Sequence, residues 1–193
     1  MAYIGMKNVL LAKLKTETKG QPCVYENGMV FGKAINADVS FTKAQTDLYA
    51  DDGAAESDNS ITGGNVTLGI DDIPDEALTM LGYKKVGEGT TAEYIKTSES
   101  SDYVGLGFTR TRVLQGIRSH EAIWLYKLQL GLESLNAQTK GQQMQWQTPT
   151  LSGTLMSVQN DADLTTNWHA FKRFENEADA VSYLKNLAGM ASA

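Results

Sequence analysis

The feature that most restricts what this chain can fold into is a polarity that alternates with a period of two. In KAINADVSF, residues 33 to 41, the set Ile35, Ala37, Val39 and Phe41 is apolar. The intervening set is Ala34, Asn36, Asp38 and Ser40. NVTLGID, residues 65 to 71, repeats the pattern, with Val66, Leu68 and Ile70 set against Asn65, Thr67, Gly69 and Asp71. Successive strand side chains point to opposite faces, so each segment predicts a strand with one buried and one wet face. A helix would spread the same residues around its axis. The two segments are expected to pair as a hairpin.

Further strands follow from the same reading. YVGLGF, residues 103 to 108, puts Val104, Leu106 and Phe108 on one face and bare glycines on the other, which marks a bend or a close backbone approach. AIWLYKLQL, residues 122 to 130, sets Trp124, Tyr126, Leu128 and Leu130 against Ile123, Leu125, Lys127 and Gln129. Apolar residues on both faces predict a central or doubly covered strand. QQMQWQT, residues 142 to 148, alternates as well, and Pro149 then suits a bulge or an edge before TLSGTLM resumes.

Helices are few. PDEALTML offers Pro74 at a first-turn position, Asp75 and Glu76 near the positive dipole end, Leu78 and Leu81 on one face, and Gly82 as stop. NEADAVSYLKNLAG offers Asn176 as cap, a stripe of Val181, Leu184 and Leu187, Lys185 near the negative end, and Gly189 as terminator. Segments 84 to 101 and 133 to 143 are polar and read as surface excursions. Without a fixed-period repeat or a long linker, residues 1–193 read as one domain, with a C-terminal helical segment at 176–189.

The predicted hairpin has an unusual connection. Residues 47 to 60 read DLYADDGAAESDNS, with five acids and no base. Between Lys43 and Lys84 the chain holds no Lys or Arg but nine of its 23 acids: Asp47, Asp51, Asp52, Glu56, Asp58, Asp71, Asp72, Asp75 and Glu76. The net charge of −6 is therefore local in origin, and it argues against a protein that grips nucleic-acid phosphates.

Chemistry is hard to find. One cysteine, Cys23, makes neither an internal disulfide nor a CxxC site, and His120 and His169 are too few and too far apart for a zinc site. Asp58, Ser60 and Thr62 space like a calcium loop, but its twelfth position is Gly69 instead of Glu. Adjacent acids such as Asp51 and Asp52, or Asp71 and Asp72, would point to opposite faces of a strand, which spoils acid and base duties. GLGFTR lacks the third glycine and the helix of a dinucleotide site. No metal, no cofactor and no enzymatic activity are expected. No leader and no run of about 20 apolar residues is seen, so a cytosol-like setting without a membrane is expected.

A set of blocks occurs in order from Tyr3 to Phe174: YIGMKNVLLAKL, LYADDGAAE, IDDIPDEALTMLGY, YVGLGF, IWLYK, QTPTLSGT and WHAFKRF. Together they resemble the major tail protein family of long-tailed, non-contractile bacteriophages. The resemblance implies a mainly β fold, a β-sandwich or partial barrel with a flanking short helix and a C-terminal helix. Its inner strands would join those of other copies into one barrel in a homohexameric ring around a DNA channel. It also implies stacked rings, with the long loop at 42–60 reaching the adjacent ring through Asp47, Leu48, Tyr49, Asp51, Asp52, Glu56 and Asp58. Implied partners are further copies, a tape measure protein in the lumen, tail terminator and distal tail proteins, and DNA that transits without specific binding. The implied location is the virion tail, assembled in the host cytoplasm. The family usually carries charges in the strand that here reads QQMQWQT, so Gln143, Gln145 and Gln147 weaken that contribution. Segment 84 to 101 matches no part of the resemblance.

Physical reasoning supports this expectation. A half-polar hairpin leaves strand edges that invite aggregation, and closing strands around a ring removes them. Its wet face would line the lumen with Asn36, Asp38, Ser40, Asn65, Thr67 and Asp71, a wall without a base. Arg110, Arg112 and Arg118 are expected to meet carboxylates of a neighbouring copy. A second reading is a carbohydrate-binding or adhesive β-sandwich, with Trp124, Trp146 and Trp168 as stacking platforms.

Overall fold

A computed structural model describes residues 2–44, 46–50, 53–133 and 148–190. The chain opens with β1 (Ala2–Thr16), β2 (Val24–Val30) and β3 (Ala34–Lys43). Next come β4 (Thr46–Ala50), β5 (Gly53–Asp58) and β6 (Ile61–Ile70), then helix α1 (Asp75–Met80). The short strands β7 (Tyr83–Val86) and β8 (Glu93–Lys96) precede the two long strands β9 (Tyr103–Leu114) and β10 (Ile117–Leu132). The chain continues through β11 (Thr150–Met156), β12 (His169–Phe174) and helix α2 (Glu177–Leu187).

Eight strands form one antiparallel sheet in the order β2-β1-β9-β10-β11-β6-β3, and β12 pairs with β10. The fold is thus mainly β with two short helices, a sheet in the manner of a sandwich that is not closed into a barrel. One face of the sheet encloses the main core, where Leu11, Phe31, Val66, Leu68, Ile70, Leu106, Leu125, Leu128, Leu130 and Leu151 pack with Ala77, Met80 and Leu81 around α1. Each of the larger apolar side chains among them contributes about 1.5–3 kcal/mol on burial. The opposite face carries a second cluster of Leu10, Ala12, Tyr25, Ala122 and Trp124 under Ala180, Leu184 and Ala188 of α2.

The glycines of β9 exist for that second cluster. A Cβ at Gly105 would sit 2.5 Å from a Trp124 ring carbon and 2.6 Å from Tyr25. One at Gly107 would sit 2.5 Å from Trp124. The fully buried indole therefore lies across bare backbone, with the Tyr25 ring edge-on at 5.1 Å. The close approach expected from YVGLGF is an indole laid against its own sheet.

Two β-bulges change which residues face inward. Between Ala34 and Asn36 the β3–β6 register slips, so Ala34 packs against the core with Ala37, Val39 and Phe41. Ile35, expected inside, is 57% exposed. In β10 the slip between Leu125 and Leu128 puts Leu128 and Leu130 in the main core with Ile123 and Leu125, not beside Trp124. One extra residue reverses every later side chain in a strand. The bulge divides β10 into a half whose outer face lies under α2 and a half whose outer face is polar.

Local details also depart from expectation. α1 buries Ala77, Met80 and Leu81, and Leu78 is only half-buried. α2 turns Ala180, Leu184 and Ala188 inward, while Val181 lies at the margin of that stripe. Asn176 occupies the N-cap position, but its amide donates to Asp179 and makes no capping bond to the backbone. The α2 entry is tied down instead by Asn8, whose side chain donates to Thr109 Oγ1 (3.0 Å) and Glu177 Oε1 (3.1 Å). Gly189 ends the helix at φ 67°, where a Cβ would strike the Tyr25 carbonyl at 2.6 Å. Pro149 immediately precedes β11 and accepts from Ile70 N through its carbonyl. Segment 84 to 101 is a β7–β8 hairpin, anchored by Lys96 Nζ donating to Leu81 O at 2.6 Å.

Candidate assembly surface

Cross-strand register assembles the polar residues of four strands into one face. Asp38 lies opposite Thr67, Thr67 opposite Ser152, and Ser152 opposite Gly131. The next row is Ser40, Asn65, Thr154 and Gln129. On the other side, Asn36 pairs with Gly69 and Gly69 with Thr150. Beneath every one of these strands lies the main core, so this face is the wet side of β3, β6, β11 and the second half of β10. Five of the six wall residues expected from the sequence, Asn36, Asp38, Ser40, Asn65 and Thr67, are brought together. Thr150, Ser152, Thr154, Gln129 and Gly131 extend the face. The signal for Thr150, Ser152 and Thr154 was legible in TLSGTLM, whose Thr and Ser alternate with Leu and Gly.

Asp71 is placed differently. It follows the end of β6, and its Oδ1 accepts from the backbone N–H of Lys33 (2.6 Å) and of Asp72 (2.9 Å). The Lys33 bond, ahead of all other causes, holds its carboxyl below the usual carboxylate range. The side chain fixes the junction between the chain entering β3 and the chain leaving β6.

The face is nearly free of formal charge. β6 and β11 carry none, and β3 carries only Asp38 before its terminal Lys43. Lys127, where β10 enters this face, is paired with Glu17. At the far side the ten residues of β3 form the sheet's margin, with a ladder to β6 alone among the described residues. Their outward N–H and C=O groups are the kind of edge that takes up another strand.

The connection at 42–60 is a β arm in place of an irregular loop. Ala44 N donates to Ser60 O, and among the described residues β4 and β5 then pair only with each other, with Thr46 opposite Asp58 and Leu48 opposite Glu56. The five residues of β4 at about 3.3 Å each give it a length of about 17 Å. Asp47, Leu48, Tyr49, Glu56 and Asp58 lie on these two strands, whereas Asp51 and Asp52 lie outside the described residues. Gln143, Gln145, Trp146 and Gln147 lie outside them too.

The three arginines do not act as one group. Arg110 is committed within its own subunit: its guanidinium bonds Glu121 at 2.6 Å, while Arg173 bonds the other carboxylate oxygen at 3.0 Å. Glu121 is only 1% exposed, and the sequence reading missed it because Arg110, Glu121 and Arg173 are separated along the chain. They are direct neighbours across β9, β10 and β12. Arg112 follows on the same face, opposite Ser119 and Tyr3. Arg118 is exposed on the reverse face, opposite Val113.

Among the described residues no group of three or more His, Cys, Asp and Glu gathers as metal ligands. Trp124 is fully buried and presents no stacking platform, while Trp168 is half-buried against the main core. His169 stacks at 5.3 Å on Phe41, and burial first, then the charge of Arg110, keeps its imidazole below the ordinary range. No described helix is long and apolar enough to cross a membrane. No protein-family model matches the chain, and no curated protein matches it at a significant level.

Proposed function

We propose that this chain is a structural subunit of a bacteriophage tail tube that self-assembles into stacked hexameric rings around a DNA channel. The observation that carries the reading is the four-stranded face of Asn, Ser, Thr, Gln and one Asp, which ends at β3, the margin of the sheet among the described residues. A monomer gains nothing from a broad, smooth polar sheet face beside an uncovered edge. A ring of copies satisfies both when β3 of one copy adds beside β10 of the next past Gln129, where the β9 ladder ends, and the polar face turns to a water-filled lumen.

The dimensions are compatible. Four strands from each of six copies make a barrel of about 24 strands; at about 4.8 Å spacing and about 40° tilt its backbone diameter is about 48 Å. Side chains on both walls leave a bore of about 40 Å, wider than a DNA duplex. Six copies of Asp38 put a circle of negative charge in each ring, and uncharged Ser, Thr, Asn and Gln surround it. Phosphates are repelled within about a Debye length, ~8 Å, and Lys127, where β10 enters the face, is already paired with Glu17. The β4–β5 arm extends past the sheet and is suited to reach the next ring. Proteins that fill the lumen and close the tube ends are the corresponding partners.

Electron microscopy of the concentrated protein, alone and seeded with tail tips, tests the reading. Tubes of uniform width with sixfold rings are expected. Monomers under every one of these conditions, seeding included, would exclude it.

A further inference from the structure

The sheet curls until the core face of β3 stands opposite the first residues of β1, the last half of β9 and the first half of β10, with no ladder joining them among the described residues. Between these walls lies a groove of about 650 Å³. Small-molecule sites occupy about 300–1,000 Å³ and favour the mouths of barrel-like sheets. The groove has an apolar floor of Met6, Val39, Phe41, Phe108, Ile123 and Leu125. Arg110 and His169 border it. The Tyr3 ring lies 3.8 Å from the Arg110 guanidinium, and His169 stacks on Phe41. Burial, then the charge of Arg110, keeps the imidazole below its ordinary range, so at neutral pH it brings no charge to the groove. From β3, Asn36 and Asp38 also border the groove. Their side chains turn to the wet face: a Cβ at Gly69 would strike Asn36 Oδ1, and the period of two points exposed Asp38 the same way.

The charge beside the floor selects the occupant. Arg110 and Arg173 share the one buried carboxylate of Glu121, so this cluster carries one positive charge in excess. Glu121 accepts from Nε and Nη2 of Arg110 and from Nε of Arg173, whereas each guanidinium has five N–H groups. Both arginine side chains stay accessible, 36% and 46% exposed. An apolar trough that ends at such a cluster is complementary to a molecule with an alkyl body and an anionic head. A carboxylate fits best, because its two oxygens match the planar fork of a guanidinium. Nucleic-acid phosphates would bring no apolar body to the floor, and an uncharged amphiphile would leave the excess charge unanswered.

We propose that the groove between β3 and the β1–β9–β10 wall binds a single-chain fatty carboxylate, with its alkyl chain over Phe108, Ile123 and Leu125 and its head at Arg110. The site is complete within one copy of the chain. It goes beyond the tail-tube reading, which neither requires it nor forbids it.

Isothermal titration calorimetry of the full-length chain with dodecanoate, kept below its micelle concentration, tests the site. Saturable binding of one molecule per chain is expected. Dodecyl maltoside and dodecyltrimethylammonium carry the same alkyl chain on an uncharged and a cationic head, and each is expected to bind about tenfold more weakly or worse. Ala37→Phe fills the groove from β3 and should abolish binding. Arg110→Gln leaves Glu121 with Arg173; it should weaken dodecanoate by about tenfold and leave dodecyl maltoside unchanged. Circular dichroism shows whether each variant is folded, and if either is not, the comparison of head groups on the wild-type chain decides alone. No saturable binding, equal binding of the three heads, or undiminished dodecanoate binding by a folded variant of either kind would overturn the proposal. Tube formation is a separate readout: a chain that takes up dodecanoate but never assembles keeps this site and loses the tail-tube reading.

Discussion

Gly107→Ala is a one-methyl change that should loosen the α2 face of the sheet. The new Cβ would stand 2.5 Å and 2.8 Å from two Trp124 ring carbons and 3.2 Å from Leu184 Cδ2. Ordinary carbon contacts lie at about 3.5–4.0 Å, so the indole must lift by about 1 Å. Leu184 of α2 blocks that movement from above. Overpacking of this kind costs about 1–3 kcal/mol, and the upper end applies because ring and helix must shift together. For a chain of this size each kcal/mol lowers Tm by about 2–4 °C, so a fall of about 6–12 °C is expected. Thermal unfolding followed by far-UV circular dichroism measures it. Trp124→Leu costs stability by itself but removes the clashing ring atoms, so the double variant should recover about 1.5 kcal/mol relative to the sum of the singles. Additivity within about 0.5 kcal/mol would refute the account of why β9 carries glycines.

Three further outcomes are expected. Asp38→Lys, at an exposed strand position, should shift stability by no more than about 0.5 kcal/mol, yet it should impair DNA passage because each ring of six gains twelve units of positive charge; normal infectivity of phage carrying it would remove Asp38 from the lumen. Replacing residues 46–58 with a short glycine link should leave the eight-stranded sheet folded, because β4 and β5 pair only with each other; tubes of normal length from this variant, seen by microscopy, would refute the stacking role of the arm. His169 has its folded pKa lowered, so its contribution is fully present above the unfolded value of about 6.5 and is lost as pH falls below it. His169→Phe keeps a ring beside Phe41 and should flatten the fall in Tm between about pH 7 and 5; an unchanged slope would show that other groups carry it.

Much of the fold was legible because its determinants are local. Alternation marked β3, β6, β9, β10 and β11, and Gly82 and Gly189 marked helix ends, both at positive φ. The wet residues of β3 and β6 could be named because the period of two holds along most of each strand. Where it failed, at Ile35 and at Leu128 and Leu130, a single bulged residue had reversed the faces, and a bulge is set by the partner strand's register. The helix stripes were displaced for a related reason. Small Ala77, Ala180 and Ala188 face inward because the sheet comes close there, which no periodicity in the helix itself can reveal.

By itself, then, the sequence determined a mainly β chain, a polar-faced hairpin and an acidic insertion between its strands. Only the tertiary structure decided that the insertion is a two-stranded arm, that the polar face spans four strands, and that Arg110 is bound to Glu121 and so is not free for a neighbour. The difference is physical. Backbone periodicity and turn preference act between residues a few positions apart, whereas register, bulges and ion pairs such as Glu121 with Arg173 are fixed by which strands lie side by side.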